Sequence, residues 1–336
     1  MDILLNKNLS NYNTFNLNVD TKYFAEANSI EDLHFLADYI QTNKLSYFVL
    51  GGGSNTLFKN DFDGIVIRYI KDQINVIDED KNDVFIEVSA GTIWDNFVEY
   101  CVVNNYHGAE NLSLIPGNVG ASPIQNIGAY GTELKDIFYK LEYYNFQTNK
   151  IEYYLSDECN FGYRTSIFKH ELKFKGIITK IIFKLSKNRK INLSYKALSD
   201  FFKDQKEINL ASIREAVISI RESKIPDYKI FGNAGSFFKN PEIDHYKYLN
   251  ISEKYPHIPY FKINENKYKI AAGWLIENCG FKGKRIGNVG CYEKQALILI
   301  NYGNAKGSEL VELSENIIKE VYLKFDIKLE TEVNII

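Results

Sequence analysis

A mixed helix-and-strand protein of more than one domain is what the sequence predicts. Three observations carry this. Short apolar runs alternate with helically spaced apolar residues through the first half. Two glycine-rich stretches of low charge, 51–55 and 115–131, interrupt that alternation. Pro226 ends a helical pattern, and the composition changes at 222–228, as at a domain boundary. The 336 residues suffice for two or three domains, and 45% hydrophobic against 25% charged residues is a globular balance.

Composition excludes several classes. A net charge of −3 gives no polyanion-binding signal, so no nucleic-acid partner is expected. Cys101, Cys159, Cys279 and Cys291 show no CxxC spacing and read as reduced thiols, not as a disulfide or zinc framework. No metal site is expected. The apolar run at the N-terminus is too short for a signal peptide, and none approaches the ~20 residues of a membrane span. These readings predict a soluble cytoplasmic protein without membrane insertion.

Along the chain, Ser29 with Glu31 and Asp32 starts a helix whose apolar face is Leu33, Leu36 and Ile40. Residues 45–50 read as a buried strand that runs into Gly51-Gly52-Gly53-Ser54-Asn55. A strand emptying into glycines can approach a phosphate, because amide donors point outward and no Cβ blocks them. Thr56 stands where a dinucleotide fingerprint needs its third glycine, and no GK[ST] follows, so neither familiar phosphate loop is present. A plain turn is the other reading.

Residues 65–70 and 84–89 read as strands. Thr92 is placed to cap a helix with Trp94, Phe97, Val98, Cys101 and Val102 on its core face. His107 sits in a polar turn and reads as structural. Residues 115–131 follow, IPGNVGASPIQNIGAYG. Gly and Pro exclude a helix interior or a central strand. The stretch is either a tight connection between core strands or a backbone surface for a flat ligand. With residues 51–55 it could hold a long ligand bearing a pyrophosphate at one loop and a ring at the other.

Residues 137–155 and 176–185 read as strands. Between them Tyr163-Arg164 lies in an otherwise apolar stretch, as a structural salt bridge or as an anion clamp. Residues 188–211 are polar and mixed. Ser212 is expected to cap a helix ending at Arg221. Ser236, in GNAGSFFKNP, is not a hydrolase elbow and has no nearby His, so an activated nucleophile is not expected; it reads either as part of a plain turn or as a serine that relays a proton or binds a phosphate. Residues 268–279 read as a helix, 295–300 as a strand, 310–324 as an amphipathic helix, and 329–336 as a strand-like tail carrying Glu332.

Taken in order, Gly51–Asn55, Pro116–Gly131, Gly162–Phe168, Ile225-Pro226 with Gly232–Pro241, Ala271–Glu277, Gln295–Asn301 and Leu329–Val333 resemble the MurB family of UDP-N-acetylenolpyruvoylglucosamine reductases. Tyr195 in LSYKAL, and the long segment between Pro241 and Ala271, look like the type I branch. The resemblance implies an α+β fold: a two-part FAD-binding module of the vanillyl-alcohol-oxidase/PCMH type plus a separate α+β substrate-binding domain. The implied limits are 1–72 and 73–221 for the two FAD-binding parts, the second joined by the C-terminal strand 325–336, and 222–324 for the substrate domain.

The resemblance also implies the chemistry: NADPH reduces FAD, and the enolpyruvyl ether of UDP-N-acetylglucosamine is then reduced to UDP-N-acetylmuramate for peptidoglycan synthesis. It assigns Gly51, Gly52, Gly53, Ser54, Asn55, Pro116, Gly117, Gly120, Ser122, Pro123, Gln125, Asn126, Gly128 and Tyr130 to FAD. Tyr163, Tyr195, Lys224, Asn240 and Gln295 fall to substrate. Ser236 becomes the proton donor, while Arg164 and Glu332 stabilise the enolate. A monomer is expected. One departure stands out: Asn334 follows Glu332-Val333 where the family often has arginine. A different flavin oxidase or dehydrogenase, a colourless UDP-sugar-binding protein and a purely structural protein are the rival readings.

Overall fold

The computed structural model describes residues 1–188, 190–204 and 207–336. The chain divides into two compact units. One comprises Met1–Lys7, Thr21–Gly53 and Phe62–Ser223; the other comprises Asn8–Asp20, Ser54–Asp61 and Lys224–Ile336.

The first unit contains two sheets. In the smaller, the strand order is Ile3–Asn8, Asp20–Ala27, Phe62–Tyr69, Tyr47–Val49, and the last three run parallel. Parallel neighbours need a crossover, supplied by helix Ile30–Asn43. Ser29 caps it in a reciprocal box with Asp32. Leu33, Leu36, Ala37 and Ile40 pack on Ala25, Ile65 and Ile67. Each buried leucine contributes about 2 kcal/mol and the cap about 1, so packing outweighs the cap in holding this helix. The expected strand 45–50 is confined to Tyr47–Val49, and the one at 65–70 starts earlier, as Phe62–Tyr69.

The larger sheet is antiparallel, in the order Lys150–Leu155, Phe138–Asn145, Gly176–Ser186, Asp83–Ser89, Ile74–Glu79. Helix Trp94–Val103 buries Trp94, Phe97, Val98 and Cys101 in its core. Phe97 stacks on Phe183 with ring centroids 4.3 Å apart, and Trp94 Nε1 donates to Leu112 O at 2.9 Å. Thr92 does not cap this helix. Ile93 precedes it, and Thr92 Oγ1 instead donates to Asp72 Oδ1 at 2.8 Å.

Helix Leu210–Lys224 closes the unit, burying Ile213, Ala216 and Val217 with Leu198 and Phe202. Its cap is Asn209 rather than Ser212. Ser212 N donates to Asn209 Oδ1 at 2.9 Å, and Asn209 N donates back to Ser212 Oγ at 3.0 Å. The serine is the inner half of a reciprocal box, which places the helix start three residues earlier than a single serine suggests. The stretch 188–211 carries helix Lys196–Phe201, with Tyr195 at its N-cap; residues 189, 205 and 206 of it lie outside the described residues.

In the second unit, Arg285–Ile286, Val289–Cys291 and Leu299–Asn301 form one antiparallel sheet, and Glu242–Asp244, Lys267–Ile270 and Tyr260–Asn264 another. The helix expected from residue 268 begins only at Ala272, as Ala272–Asn278. Residues 267–270 pair on both sides and bury Tyr268 and Ile270, a period of two that overrides the apolar spacing beyond it. The strand expected over 295–300 is Leu299–Asn301, because Ile298 N turns back to Gln295 O. Helix Gly307–Phe325 buries Leu310, Leu313, Ile317, Val321 and Phe325 along one face. The tail strand, Asn334–Ile335, pairs in parallel with Thr56–Leu57. Among the described residues no helix is long and apolar enough to cross a membrane.

Candidate active site

In the first unit the two glycine loops meet. A Cβ on Gly52 would lie 2.8 Å from Gly117 Cα, and one on Gly51 would touch Ala121 Cβ at 3.4 Å. The backbones abut at a distance only glycine permits. Among the described residues, the peptide N–H groups of Gly51 and Gly52 find no acceptor in the chain. Adjacent open amides at the end of a strand form an anion-binding concavity.

The loop at 115–131 is held by its own polar side chains. Val119–Ala121 form a 3-10 turn, and the buried Ser122 donates its Oγ to Val119 O at 2.6 Å. Buried Asn126 is in the left-handed region at φ 44° and spends its amide inside the protein: Nδ2 donates to Glu133 Oε2 and Gly162 O, and Oδ1 accepts from Lys135 N. Pro123 is buried too. The side chains of Ser122, Pro123 and Asn126 therefore shape the loop, whereas Pro116 is exposed and Gly117, Gly120, Gln125, Gly128 and Tyr130 are half-buried. Lys169 Nζ donates to Gln125 Oε1.

Tyr163 and Arg164 are the central residues of a tight turn closed by Gly162 and Thr165. Arg164 takes φ 54°, uncommon for a side chain of its size. Its Nη2 donates to Gly128 O at 2.8 Å, and its guanidinium carbon lies 5.7 Å from the Tyr163 ring centroid. Ser166 Oγ donates to Ile124 O at 2.8 Å. With the bond from Asn126 to Gly162, these contacts bolt the turn to the glycine loop. Tyr195 is exposed and meets Tyr130 edge-on, ring centroids 5.2 Å apart.

Sequence reasoning passes over four residues beside this cluster. Arg214 makes a two-pronged pair with Asp95, Nη1 to Oδ1 at 2.7 Å and Nη2 to Oδ2 at 2.8 Å. Burial alone would raise the Asp95 carboxyl. Hydrogen bonds from Arg214 and the Leu114 amide, with the charges of Arg214 and Arg221, hold it below the usual carboxylate range. Arg221 is two turns further along the same helix face, with its Nε buried and without a hydrogen-bond partner. Burial pushes its guanidinium below the usual arginine value, and the nearby Arg164 charge adds to that. Asn111 Nδ2 donates to Tyr130 O and Asn192 O, while its buried Oδ1 has no donor. The seven-residue spacing of Arg214 and Arg221 was the readable signal; nothing local marks Asp95 or Asn111.

The second unit gathers another set. Residues 236–239 lie between two backbone segments: Phe237 N donates to Leu297 O and Glu332 N donates to Phe237 O, each at 2.8 Å. Ser236 is exposed, directly after Gly235 at φ 67°, whose N–H donates to Asn233 Oδ1. Glu332 is half-buried, and its carbonyl accepts from Asn55 Nδ2 at 3.2 Å. Asn334 donates through both N and Nδ2 to Asn55 O. Asn240 Oδ1 accepts from Ala272 N, fixing the start of that helix, and Gln295 Oε1 accepts from Leu297 N. Ser54 and Asn55 belong to this unit, and Lys224 is exposed at the end of its helix.

The open amides of Gly51 and Gly52 and the unpartnered Arg221 Nε fit a cofactor that is anionic at one end and accepts hydrogen bonds at the other. Comparison with known proteins agrees. Residues 21–148 match an FAD-binding-domain family, and residues 226–336 match the UDP-N-acetylenolpyruvoylglucosamine reductase C-terminal domain. A protein of Flavobacterium johnsoniae named UDP-N-acetylenolpyruvoylglucosamine reductase is 46% identical over 339 residues, covering 100% of both chains. The Bacteroides fragilis protein of that name is 40% identical over 98% of both, and the Aliivibrio fischeri one 43% identical over 99% of this chain and 94% of its own. The Thermus caldophilus enzyme's crystal structure shares the fold, with a TM-score of 0.69 over 99% and 98% of the two chains at 21% identity. The chain thus belongs to the UDP-N-acetylenolpyruvoylglucosamine reductase family, an α+β flavoprotein family of oxidoreductases.

Proposed function

We propose that this protein reduces the enolpyruvyl group of UDP-N-acetylglucosamine enolpyruvate to the lactyl ether of UDP-N-acetylmuramate, with NADPH as reductant. The observation that carries the reading is full-length identity of 46% to a protein of that name, on a chain whose two glycine loops abut with open amides. Bound at those loops, FAD supplies two-electron transfer between a reduced nicotinamide and a carbon–carbon double bond.

The substrate's chemistry defines what the side chains must do. Reduction at the vinyl carbon leaves negative charge on the adjacent carbon, delocalised into the carboxylate. Arg164 supplies a fixed cation with forked donors, held in place by Gly128 O. Glu332 shares in stabilising the same charge. Ser236 gives the proton to carbon. Tyr163, Asn240 and Gln295 line the substrate, Lys224 pairs with the diphosphate, and Tyr195 closes over the nucleotide. The reading takes the enzyme to act in the cytoplasm, as a monomer.

The test is the visible spectrum of the holoprotein under anaerobic conditions. A flavin band that bleaches with NADPH and recovers with the enolpyruvyl substrate is the expected result. Bleaching without recovery would remove the substrate; a protein that stays colourless with added FAD would remove the cofactor. Ser236→Ala should bleach at the native rate yet recover slowly, and equal loss of both halves would sink the proton-donor role.

A further inference from the structure

We infer that Asn233 is a positioning residue for the proposed reduction: its buried amide ties the exposed turn that follows Lys224 to the turn that presents Ser236. It thereby sets the proton donor at a fixed place relative to the bound substrate. The inference rests on the function proposed above and adds to it a residue that acts through others.

Asn233 is 3% exposed, and its amide is bonded on both sides. Nδ2 donates to Pro226 O at 3.1 Å and to Phe231 O at 2.7 Å, while Oδ1 accepts from Gly235 N at 2.9 Å. One side chain therefore grips two turns. The first is the exposed stretch 227–230, and both of its ends hang on the amide. The second carries Ser236. The base from which they project is fixed. Asn233 N donates to Thr14 O and Asn301 N to Gly232 O, each at 2.8 Å. A Cβ on Gly232 would lie 2.1 Å from Phe15 O, so the chain is pressed against residues 14–15 there.

The two sides of Ser236 are held differently. Beyond it, Phe237 N donates to Leu297 O and Phe237 O accepts from Glu332 N. Before it, Gly235 is at φ 67°, and a Cβ on it would meet nothing within 4 Å. Packing does not hold that residue; its hydrogen bond to Asn233 does. Residues 227–230 are likewise held by hydrogen bonds rather than by burial: those at Pro226 and Phe231, and Asn16 Nδ2 to Tyr228 O at 2.7 Å. Proton delivery to carbon needs the donor within reach of one atom, and a misplacement of about 1 Å can cost about 10²-fold. Lys224, two residues before Pro226, is the proposed diphosphate partner, and Ser236 the proposed donor to the enolpyruvyl carbon. They act on different parts of one substrate. A link between their turns converts grip on the diphosphate into placement of the carbon.

The experiment follows the FAD-loaded protein through both half-reactions by anaerobic stopped flow. Asn233→Ala removes all three side-chain bonds. It should bleach with NADPH at the native rate, while reoxidation by the enolpyruvyl substrate falls about 10²-fold in limiting rate. Asn233→Asp keeps an acceptor for the Gly235 N–H and loses both donors. It should need about five- to tenfold more substrate to reach half its limiting rate, with that rate near native. Asn145→Ala deletes a buried amide in the first unit, where Oδ1 holds the Gln147 and Thr148 N–H groups. It should melt earlier with both half-reactions native. Native reoxidation in Asn233→Ala overturns the proposal. So does equal slowing of both half-reactions, which is what a merely structural role gives, and so does an Asp variant indistinguishable from the Ala variant. Should neither Asn233 variant fold, Asn16→Gly decides, because it deletes only the bond to Tyr228 O and suits φ 56°. It should raise the half-saturating substrate concentration and leave bleaching native; an unchanged concentration overturns the proposal. A native protein whose reduced flavin is not reoxidised by the enolpyruvyl substrate would instead overturn the reading on which the proposal stands.

Discussion

Arg164 Nη2 donates to the carbonyl of Gly128 at 2.8 Å, and Arg164 itself sits at φ 54°. One side chain therefore fixes its own turn against the glycine loop, while its backbone pays for the position. A left-handed non-glycine residue costs about 1–2 kcal/mol, and a hydrogen bond from a charged group contributes about 1.5–3. The two terms nearly cancel. Arg164→Gly should therefore melt within a few degrees of the native protein while kcat/KM falls by about 10²–10³, the loss typical of one transition-state donor. A calorimetric scan beside steady-state kinetics separates the two. A large fall in Tm with little loss of turnover would make Arg164 a structural residue.

Gly52 and Gly117 make a second relationship with a measurable consequence. A methyl group on Gly52 would press on backbone at 2.8 Å, which cannot rotate away as a side chain can. Forced overpacking of this kind costs about 1–3 kcal/mol. The strain falls on the loop contact and leaves the core clusters untouched. Gly52→Ala should weaken FAD binding by about 5–150-fold, read by flavin fluorescence titration, with the far-UV spectrum of the apoprotein unchanged.

What could be read from sequence follows physical range. The glycine loops and the turns that carry Tyr163-Arg164 and Ser236 were legible as turns because glycine and proline exclude alternatives locally. Helix Ile30–Asn43 was legible because Ser29 and Asp32 form a local box. Residues 267–270 were not, since their strand exists only through pairing with Glu242–Asp244 and Tyr260–Asn264. Ser212 misled because the Asn209 box shares its signature three residues earlier. The ion pair of Asp95 was invisible: its partner lies 119 positions away. That Ser122 and Asn126 spend their side chains inside the loop was equally unreadable, because glycine-loop composition does not say which atoms face inward.

The Asp95–Arg214 pair predicts an acid-sensitive unit. The Asp95 carboxyl lies lower in the folded state than in the unfolded chain, where it titrates near ~3.9. A depressed carboxylate stabilises the folded state fully above the unfolded value, and that stabilisation is lost as pH falls through the folded one. Stability should therefore drop below about pH 4 more steeply in the native protein than in Asp95→Asn. At neutral pH the pair's side chains are 23% and 14% exposed. Removing one partner should cost roughly 2–3 kcal/mol, under the range for fully buried pairs. Urea melts at neutral and acidic pH give both numbers.

Asn334 tests how much of this site tolerates drift. Its N–H and Nδ2 both donate to Asn55 O, and the strand Asn334–Ile335 is further held through Ile336 N to Leu57 O and Lys59 N to Ile336 O. Asn334→Arg deletes only the side-chain bond, worth about 0.5–1.5 kcal/mol, and leaves Asn55 O satisfied by the backbone. The fold should absorb it with a Tm change of a few degrees. If the family's frequent arginine serves the cofactor, the same substitution should tighten FAD binding, with turnover at saturating FAD little changed. Unaltered FAD affinity would mean that the Asn55–Asn334 contact has replaced the arginine's function rather than lost it.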